Sequence, residues 1–182
     1  MVAAQLANEL NLPYDLVVVR KVSAPDNPEL GLGAVSVEGE GVFNDELIAL
    51  LGISQEFLLK EIERERELVQ AQKVLYAEGS PELPLEGKTV ILVDDGIATG
   101  ASMKVAIESL RMQLPEKIVM AVPVAPKEAL DAFALLVDEV VCLATPSPFG
   151  ALGAFYRHFD RVTDEEFKGL LQSRSTLPSL LG

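Results

Sequence analysis

Two adjacent carboxylates follow directly after an apolar segment in the middle of the chain. Residues 89–93 read Thr-Val-Ile-Leu-Val, and Asp94 and Asp95 come next. An acidic pair gains nothing from packing at the end of a buried strand, so it indicates a functional site. Carboxylate oxygens suit sugar hydroxyls or a divalent cation as partners.

The small residues after the acidic pair predict an anion-binding turn. Gly96 and Gly100 allow the backbone to approach a ligand closely, and Thr99 and Ser102 can add hydroxyl donors. A helix predicted to begin near residue 100 would present unpaired backbone N–H groups and the positive end of its dipole. The segment therefore combines carboxylates with a helix start suited to phosphate.

Alternating strands and helices must position these residues. The pattern predicts strands at 89–93, 117–122 and 139–143, separated by helices at about 100–113 and 126–136. This alternation is typical of βαβ units and a parallel sheet.

The first half of the chain has a less regular pattern. It predicts a helix at 2–10 and a strand at 15–20, whose run of valines indicates burial on both faces. Turns are predicted from residue 23 onward, with a short hairpin built on residues 34–37 and 41–43, followed by a long helix at 54–77 with Ser54 as its N-cap. The charged run Lys-Glu-Ile-Glu-Arg-Glu-Arg-Glu of this helix is interpreted as a solvated face.

Length and composition indicate one globular domain. The chain has 182 residues, of which 49% are hydrophobic and 24% are charged. We expect a single domain over residues 1–182 with a flap inserted at about 23–80. The apolar positions of the long helix exceed what an exposed helix leaves in water, so we expect the flap to form a dimer surface and the protein to be a homodimer.

Charge and residue usage exclude several classes of function. The net charge of −13 repels nucleic acids and anionic lipid, so neither is expected as a partner. No apolar segment is as long as a membrane span, and the first residues lack the basic region of a secretory signal, so the expected compartment is the cytoplasm. The single Cys142 and the single His158 are interpreted as structural, and no metal site on the protein is expected.

The segment from Thr89 to Ser102 resembles the phosphoribosylpyrophosphate-binding motif of type I phosphoribosyltransferases. The shared pattern is a hydrophobic strand, an acidic pair, small residues and Thr-Gly-x-Ser. The resemblance implies that Asp94 and Asp95 hold the ribose 2′- and 3′-hydroxyls. It also implies a loop around the 5′-phosphate, made of Ala98, Thr99, Gly100, Ala101 and Ser102.

The resemblance extends over nearly the whole chain. Within the family, the sequence looks like an uncharacterised bacterial branch of stand-alone phosphoribosyltransferase-domain proteins. It implies a doubly wound, mainly parallel α/β sheet with a small flap of helix and β-hairpin. Arg20 and Lys21 look like the family's pyrophosphate-binding pair. The loop from Thr145 to Gly153 would lie beside the acceptor pocket, with Phe149 stacking on a ring or serving as plain packing.

The family also has an element that this sequence does not contain. Its first core strand ends in an Arg-Gly or Lys-Gly loop that binds pyrophosphate, and that strand precedes the helix at which this sequence begins. Strand 15–20 would be the family's second strand and strand 89–93 its third, with the first between them. Because each unpaired backbone group costs about 1–3 kcal/mol, we expect strand 15–20 to pair directly with strand 89–93, or another chain to fill the slot.

The implied function is enzymatic. Ribose 5-phosphate would pass from phosphoribosylpyrophosphate to a small nitrogenous acceptor, with substrate-bound Mg²⁺ and release of pyrophosphate. The alternative is a non-catalytic module that binds phosphoribosylpyrophosphate and regulates a partner, which the missing basic loop favours.

Overall fold

The chain divides by its internal contacts into two compact units. The computed structural model describes residues 1–37, 41–77, 83–98, 100–159, 162–163, 166 and 169–170. The parallel-sheet unit comprises Met1–Leu16, Tyr76–Thr99 and Glu116–Gly182, and the hairpin unit comprises Val17–Leu75 and Gly100–Pro115. The single domain with a flap at about 23–80 stays a prediction.

Helices and strands account for most of the described residues. In chain order they are α1 (Val2–Leu10), β1 (Arg20–Ala24), β2 (Asn27–Val35), β3 (Val42–Phe43), α2 (Asp45–Leu50), α3 (Gln55–Ala77), β4 (Thr89–Val93), α4 (Ala101–Arg111), β5 (Lys117–Val124), α5 (Lys127–Phe133), β6 (Glu139–Ala144) and a short 3₁₀ helix (Leu152–Phe155).

The parallel-sheet unit is built on β5. This strand lies between β4 and β6 and is parallel to both. Its side chains alternate, as a strand requires, and those on one face are buried: Ile118, Met120, Val122 and Val124. Phe133 of α5 is buried as well. The predicted mixed α/β class with a parallel sheet is confirmed.

The hairpin unit contains an antiparallel sheet in the order β1-β2-β3. Its core includes Val22 and Leu32, which are fully buried, and α2 and α4 both contact β2. Strand β2 pairs with β3 through Ala34 and Val42, so the predicted hairpin near 34–43 is confirmed, as is the long helix. The hairpin of β1 and β2 lies largely where the sequence pattern predicts turns, and that prediction is wrong. The backbone N–H of Phe57 donates to the Ser54 hydroxyl oxygen at 3.2 Å, so Ser54 caps α3 as expected.

The predicted strand at 15–20 is wrong. Only Arg20 of this run lies in a strand, and β1 pairs antiparallel with β2 across a two-residue turn at 25–26. The turn that follows the valines brings β1 and β2 together as a local hairpin, whereas no strand of the described residues pairs with the valines themselves. In the described part of the chain β4 pairs with β5 alone, so the predicted pairing of 15–20 with 89–93 is also wrong.

Two further features of the described residues bear on the expectations. The sequence pattern does not predict helix α2. Asn44 caps this helix by accepting a hydrogen bond from the Leu47 N–H at 2.9 Å. None of the described helices has both the length and the apolar character that crossing a membrane requires.

Candidate functional site

The acidic pair lies directly beyond the carboxyl end of β4, in the parallel-sheet unit. Asp94 is exposed and Asp95 is half-buried. The backbone N–H of Asp95 donates to Oδ1 of Asp94 at 2.9 Å, which orients the first carboxylate. Ligands of open α/β sheets bind outside the carboxyl ends of the strands, so the predicted pair occupies the expected edge.

The surroundings of Asp94 favour its protonated form. Although the residue keeps a large exposed surface, protein atoms displace water from its carboxyl group, and the adjacent charge of Asp95 adds repulsion. The N–H of Asp95 acts in the opposite direction. The net result raises the pKa of Asp94 from 3.8 to about 6, so this carboxylate titrates close to neutral pH.

Close packing fixes the turn after the acidic pair. The Ile97 N–H donates to the Val124 carbonyl at 3.1 Å, and Ile97 is buried. A Cβ on Gly96 would lie 2.3 Å from Cδ1 of Leu152 and 2.8 Å from the Val124 carbonyl oxygen. No side chain fits there, so only glycine allows the turn to sit between the end of β5 and the 3₁₀ helix.

Tyr156 reaches the acidic pair from the C-terminal part of the same unit. Its hydroxyl donates a hydrogen bond to the Asp95 backbone carbonyl, and its ring packs on Phe159 with centroids 5.2 Å apart. Partial burial, followed by the charges of Asp95 and Asp94, raises the pKa of Tyr156. Sequence reasoning missed this residue. The concentration of aromatic residues in 149–159, in a chain with few of them, was the available signal.

The predicted phosphate loop leads from the acidic pair into α4. Ala98 is exposed, and Thr99 lies outside the described residues. Gly100 is the N-cap of α4 with φ 76°, a left-handed conformation that glycine adopts without strain. Gly100 has no side chain with which to cap the helix, so the N-cap residue leaves the first-turn amides without that partner. In this first turn Ala101 is half-buried and Ser102 is exposed.

Arg20 and Lys21 point to opposite faces of β1, as neighbours in a strand must. The Nε of Arg20 forms an ion pair with Oε2 of Glu65 at 2.5 Å. The stem of Lys21 runs against Gly31, where a Cβ would lie 3.1 Å from the lysine Cδ. The structure therefore gives the two predicted pyrophosphate ligands different surroundings.

Glu65 is a buried carboxylate held by two guanidinium groups. It is 3% exposed, and its second oxygen accepts from Arg64 at 2.7 Å. Burial acts to raise the pKa of Glu65, but hydrogen bonds from Arg20 and Arg64 outweigh it, and the pKa is lowered. Glu65 is thus ionised at neutral pH and ties α3 to the start of β1.

Phe149, the predicted acceptor-pocket residue, packs on a second aromatic ring. Its centroid lies 5.1 Å from that of Phe155, with the rings tilted by 37°. The ring is half-buried, which leaves part of its surface accessible. Its role toward an acceptor stays a prediction.

Comparison with known proteins decides the family. The model of the phosphoribosyl transferase domain matches residues 1–140. The chain belongs to the phosphoribosyl transferase domain family. The match includes the acidic pair, the start of α4 and the Arg20-Lys21 pair, and it ends before Phe149 and Tyr156.

Individual proteins that are similar to this chain are consistent with this assignment. Two proteins of Mycobacterium tuberculosis, from strains CDC 1551 and H37Rv, carry the name "putative phosphoribosyl transferase" and are each 38% identical over 172 residues. The match covers 93% of this chain, which spans 38% of the length of those relatives. The crystal structure of TT1426 from Thermus thermophilus is similar with a TM-score of 0.75 and 41% identity, over 94% of this chain and 81% of that one.

Proposed function

We propose that this phosphoribosyl transferase domain binds phosphoribosylpyrophosphate (PRPP) and transfers its ribose 5-phosphate to a nitrogenous base, releasing pyrophosphate. The observation that supports this most is the acidic pair at the end of β4, which a short loop joins to a helix start without a side-chain cap. Carboxylates recognise the hydroxyls of a sugar, and a helix start recognises its phosphate. PRPP carries both groups.

In this proposal Asp94 and Asp95 accept hydrogen bonds from the ribose 2′- and 3′-hydroxyls. Ionised carboxylates are strong acceptors for such donors, and a raised pKa makes Asp94 sensitive to pH near 6. The 5′-phosphate would bind where the chain enters α4, with the amides and hydroxyls of Ala98, Thr99, Gly100, Ala101 and Ser102.

The other predicted site residues would bind the leaving pyrophosphate and the acceptor. Arg20 and Lys21 would contact the pyrophosphate, and Phe149 would stack on the acceptor ring. The acceptor nitrogen attacks C1 of the ribose, the C1–O bond to pyrophosphate breaks, and the electron pair leaves with pyrophosphate. The acceptor proton passes to solvent. Catalysis then consists of holding the ribose and the leaving group in position.

Mg²⁺ would enter bound to the substrate. In the described residues no group of three or more His, Cys, Asp or Glu side chains is placed to hold a metal ion. The diphosphate and ribose oxygens of PRPP are themselves hard ligands of the kind that Mg²⁺ prefers. The ion would neutralise charge on the leaving pyrophosphate, and the protein's carboxylates would face the ribose hydroxyls.

We also propose a cytoplasmic homodimer in which α3 contributes to the contact. Four apolar side chains of this helix are 42–60% exposed: Leu59, Leu68, Val74 and Leu75. A contact between copies would remove them from water. Sedimentation of the wild-type protein and of a Leu68→Glu variant tests this: a dimer that the substitution dissociates is expected, and a wild-type monomer contradicts it.

A binding and turnover experiment tests the function. The protein is titrated calorimetrically with PRPP and Mg²⁺, and pyrophosphate release is followed with purine, pyrimidine and nicotinate acceptors. The double variant Asp94→Asn with Asp95→Asn should lose PRPP binding and remain folded. The control, Glu128→Gln with Asp131→Asn, removes two exposed acids from α5 and should bind normally.

Each outcome has a distinct meaning. Binding with pyrophosphate release for one acceptor supports the transferase. Binding without release for any acceptor supports the regulatory module instead. Normal PRPP binding by the acidic-pair double variant would show that the site has been assigned to the wrong residues.

A further inference from the structure

We infer that Tyr156 is a positioning residue for the acidic pair, acting through the backbone of Asp95. The inference rests on the proposed function, because it takes Asp94 and Asp95 as the groups that hold the ribose. It concerns a residue beyond the part of the chain that the family model matches, which ends at residue 140.

The hydroxyl of Tyr156 fixes a peptide group that the sheet does not hold. Strand β4 ends at Val93, so the Asp95 carbonyl lies past the last residue of that strand. Tyr156 donates to this carbonyl. Because the carbonyl and the following N–H belong to one planar peptide, the hydrogen bond sets the rotation of the backbone that carries the Asp95 carboxylate.

The same peptide is confined on its other side. Gly96 lies so close to Leu152 and to the Val124 carbonyl that no Cβ could be added. Leu152 belongs to the 3₁₀ helix that ends one residue before Tyr156. One short segment therefore supplies both the hydrogen bond to Asp95 and the contact with Gly96, which leaves the turn little freedom.

Charge keeps the tyrosine in the form that can donate. Partial burial, followed by the charges of Asp95 and Asp94, raises the pKa of Tyr156 from 10.0. Tyr156 therefore stays protonated throughout the pH range in which Asp94 titrates. Asp95 is the charged neighbour that acts on Asp94, and the charge of Asp94 in turn contributes to the raised pKa of Tyr156.

Aromatic packing orients the tyrosine ring. Tyr156 packs on Phe159, and Phe149, which precedes Tyr156 by seven residues, packs on Phe155. Four of the ten Phe and Tyr residues of the chain thus lie in residues 149–159. Two ring pairs in so short a stretch, which contains little regular secondary structure, are suited to hold one hydroxyl in place.

The test compares two variants that each lose one phenolic hydroxyl. Tyr156→Phe removes the donor to Asp95. Tyr14→Phe removes the hydroxyl that donates to the Leu170 carbonyl, so it is a matched deletion at another place in the same unit. Melting temperature, PRPP affinity with Mg²⁺, and the NMR titration of the Asp94 carboxyl carbon without ligand are measured for both variants and for the wild type.

We expect Tyr156→Phe to weaken PRPP binding by about three- to tenfold, the effect of one lost neutral hydrogen bond, whereas Tyr14→Phe binds as the wild type does. The Asp94 pKa should fall only in Tyr156→Phe, since a freer turn lets water reach the carboxyl group. A purely structural hydroxyl would lower the melting temperature and leave both the affinity and the Asp94 titration unchanged, which overturns the inference.

The carboxyl titration separates this inference from the proposed function. Should the wild type fail to bind PRPP, the proposed function is wrong, and the ligand-free Asp94 titration still decides the positioning role. Should PRPP bind to the wild type and to Tyr156→Phe with equal affinity and equal Asp94 pKa, the proposed function stands and the positioning role is excluded.

Discussion

Glu65 of helix α3 and Arg20 at the start of β1 form an ion pair, with 2.5 Å between Oε2 and Nε, across 45 positions of sequence. The carboxylate is almost fully buried, while 37% of the arginine side chain is exposed. One edge of the guanidinium is thus occupied inside the hairpin unit. The group keeps further N–H donors, which an anion could use.

Replacing Glu65 by Gln should destabilise the protein. Removing one partner from a fully buried ion pair costs about 3–5 kcal/mol. Because Arg20 and Arg64 keep 37% and 62% of their side chains exposed, water screens them, and we expect a loss of about 1–3 kcal/mol in the free energy of unfolding. Urea denaturation measures it. Glu63→Gln, an exposed acid on the same helix, should stay within about 0.5 kcal/mol of the wild type, and equal effects for the two variants would contradict the structural role of Glu65.

Gly96→Ala should destabilise the protein more than a methyl group added elsewhere in the same unit. The new Cβ would meet the Val124 carbonyl oxygen at 2.8 Å, a backbone atom that cannot turn aside. Overpacking of this kind costs about 1–3 kcal/mol. Gly150→Ala is the matched control, since a Cβ there has no atom within 4 Å. Thermal unfolding compares them, and a neutral Gly96→Ala would show that the turn is less tightly packed than the structure has it.

The sequence predicted the second half of the fold well and the first half less well, for identifiable reasons. Strands such as 89–93 and 117–124 are apolar, and each is bounded by turns and amphipathic helices, so local pattern suffices. The valines at 15–20 have the same pattern. Whether they form a strand depends on a neighbour with which to pair, and that is not a property of the segment itself.

The candidate site likewise contains some residues that the local sequence pattern predicts and others that it does not. Asp94 and Asp95 stand out because carboxylates at a strand end have no packing role, so their types and spacing were sufficient. Tyr156 and Glu65 act through partners 61 and 45 positions away, and no local pattern encodes such distances. The sequence pattern predicts a solvated face for the charged run around Glu65, and this prediction is wrong for Glu65 itself because α3 turns it into the protein.

Hydrogen exchange should distinguish the amides of strand β5 from those of the valine run that precedes β1. Amides of Met120–Val122 lie in a strand with neighbours on both sides, and we expect them to exchange orders of magnitude more slowly than those of Val17–Val19, which lie outside any helix or strand. Mass spectrometry after proteolysis gives both rates for the protein in one sample. Equal protection of the two segments would mean that residues 17–19 are paired in solution.

Asp94→Asn should raise stability and lower affinity at the same time. The folded protein holds the Asp94 proton more tightly than the unfolded chain does, since its pKa is about 6 against an ordinary 3.8. Ionised Asp94 therefore opposes folding above pH 6, and this penalty shrinks as the pH falls from about 6 toward 3.8. The variant should melt a few degrees above the wild type at pH 7.5, and the gain should diminish between pH 6 and pH 4.

The same substitution, Asp94→Asn, should weaken PRPP binding although it raises stability. An amide cannot carry the charge that strengthens a hydrogen bond from a ribose hydroxyl, so the variant should bind PRPP at least tenfold more weakly at pH 7.5. Wild-type affinity should fall as Asp94 protonates near pH 6, and the variant, which lacks this group, should show a smaller decline. Calorimetry at pH 7.5, 6.5 and 5.5, with Asp131→Asn as a control for loss of one exposed charge, measures both trends. A variant that melts lower than the wild type at pH 7.5 would show that Asp94 stabilises the fold, whereas groups held for a ligand characteristically cost stability in its absence.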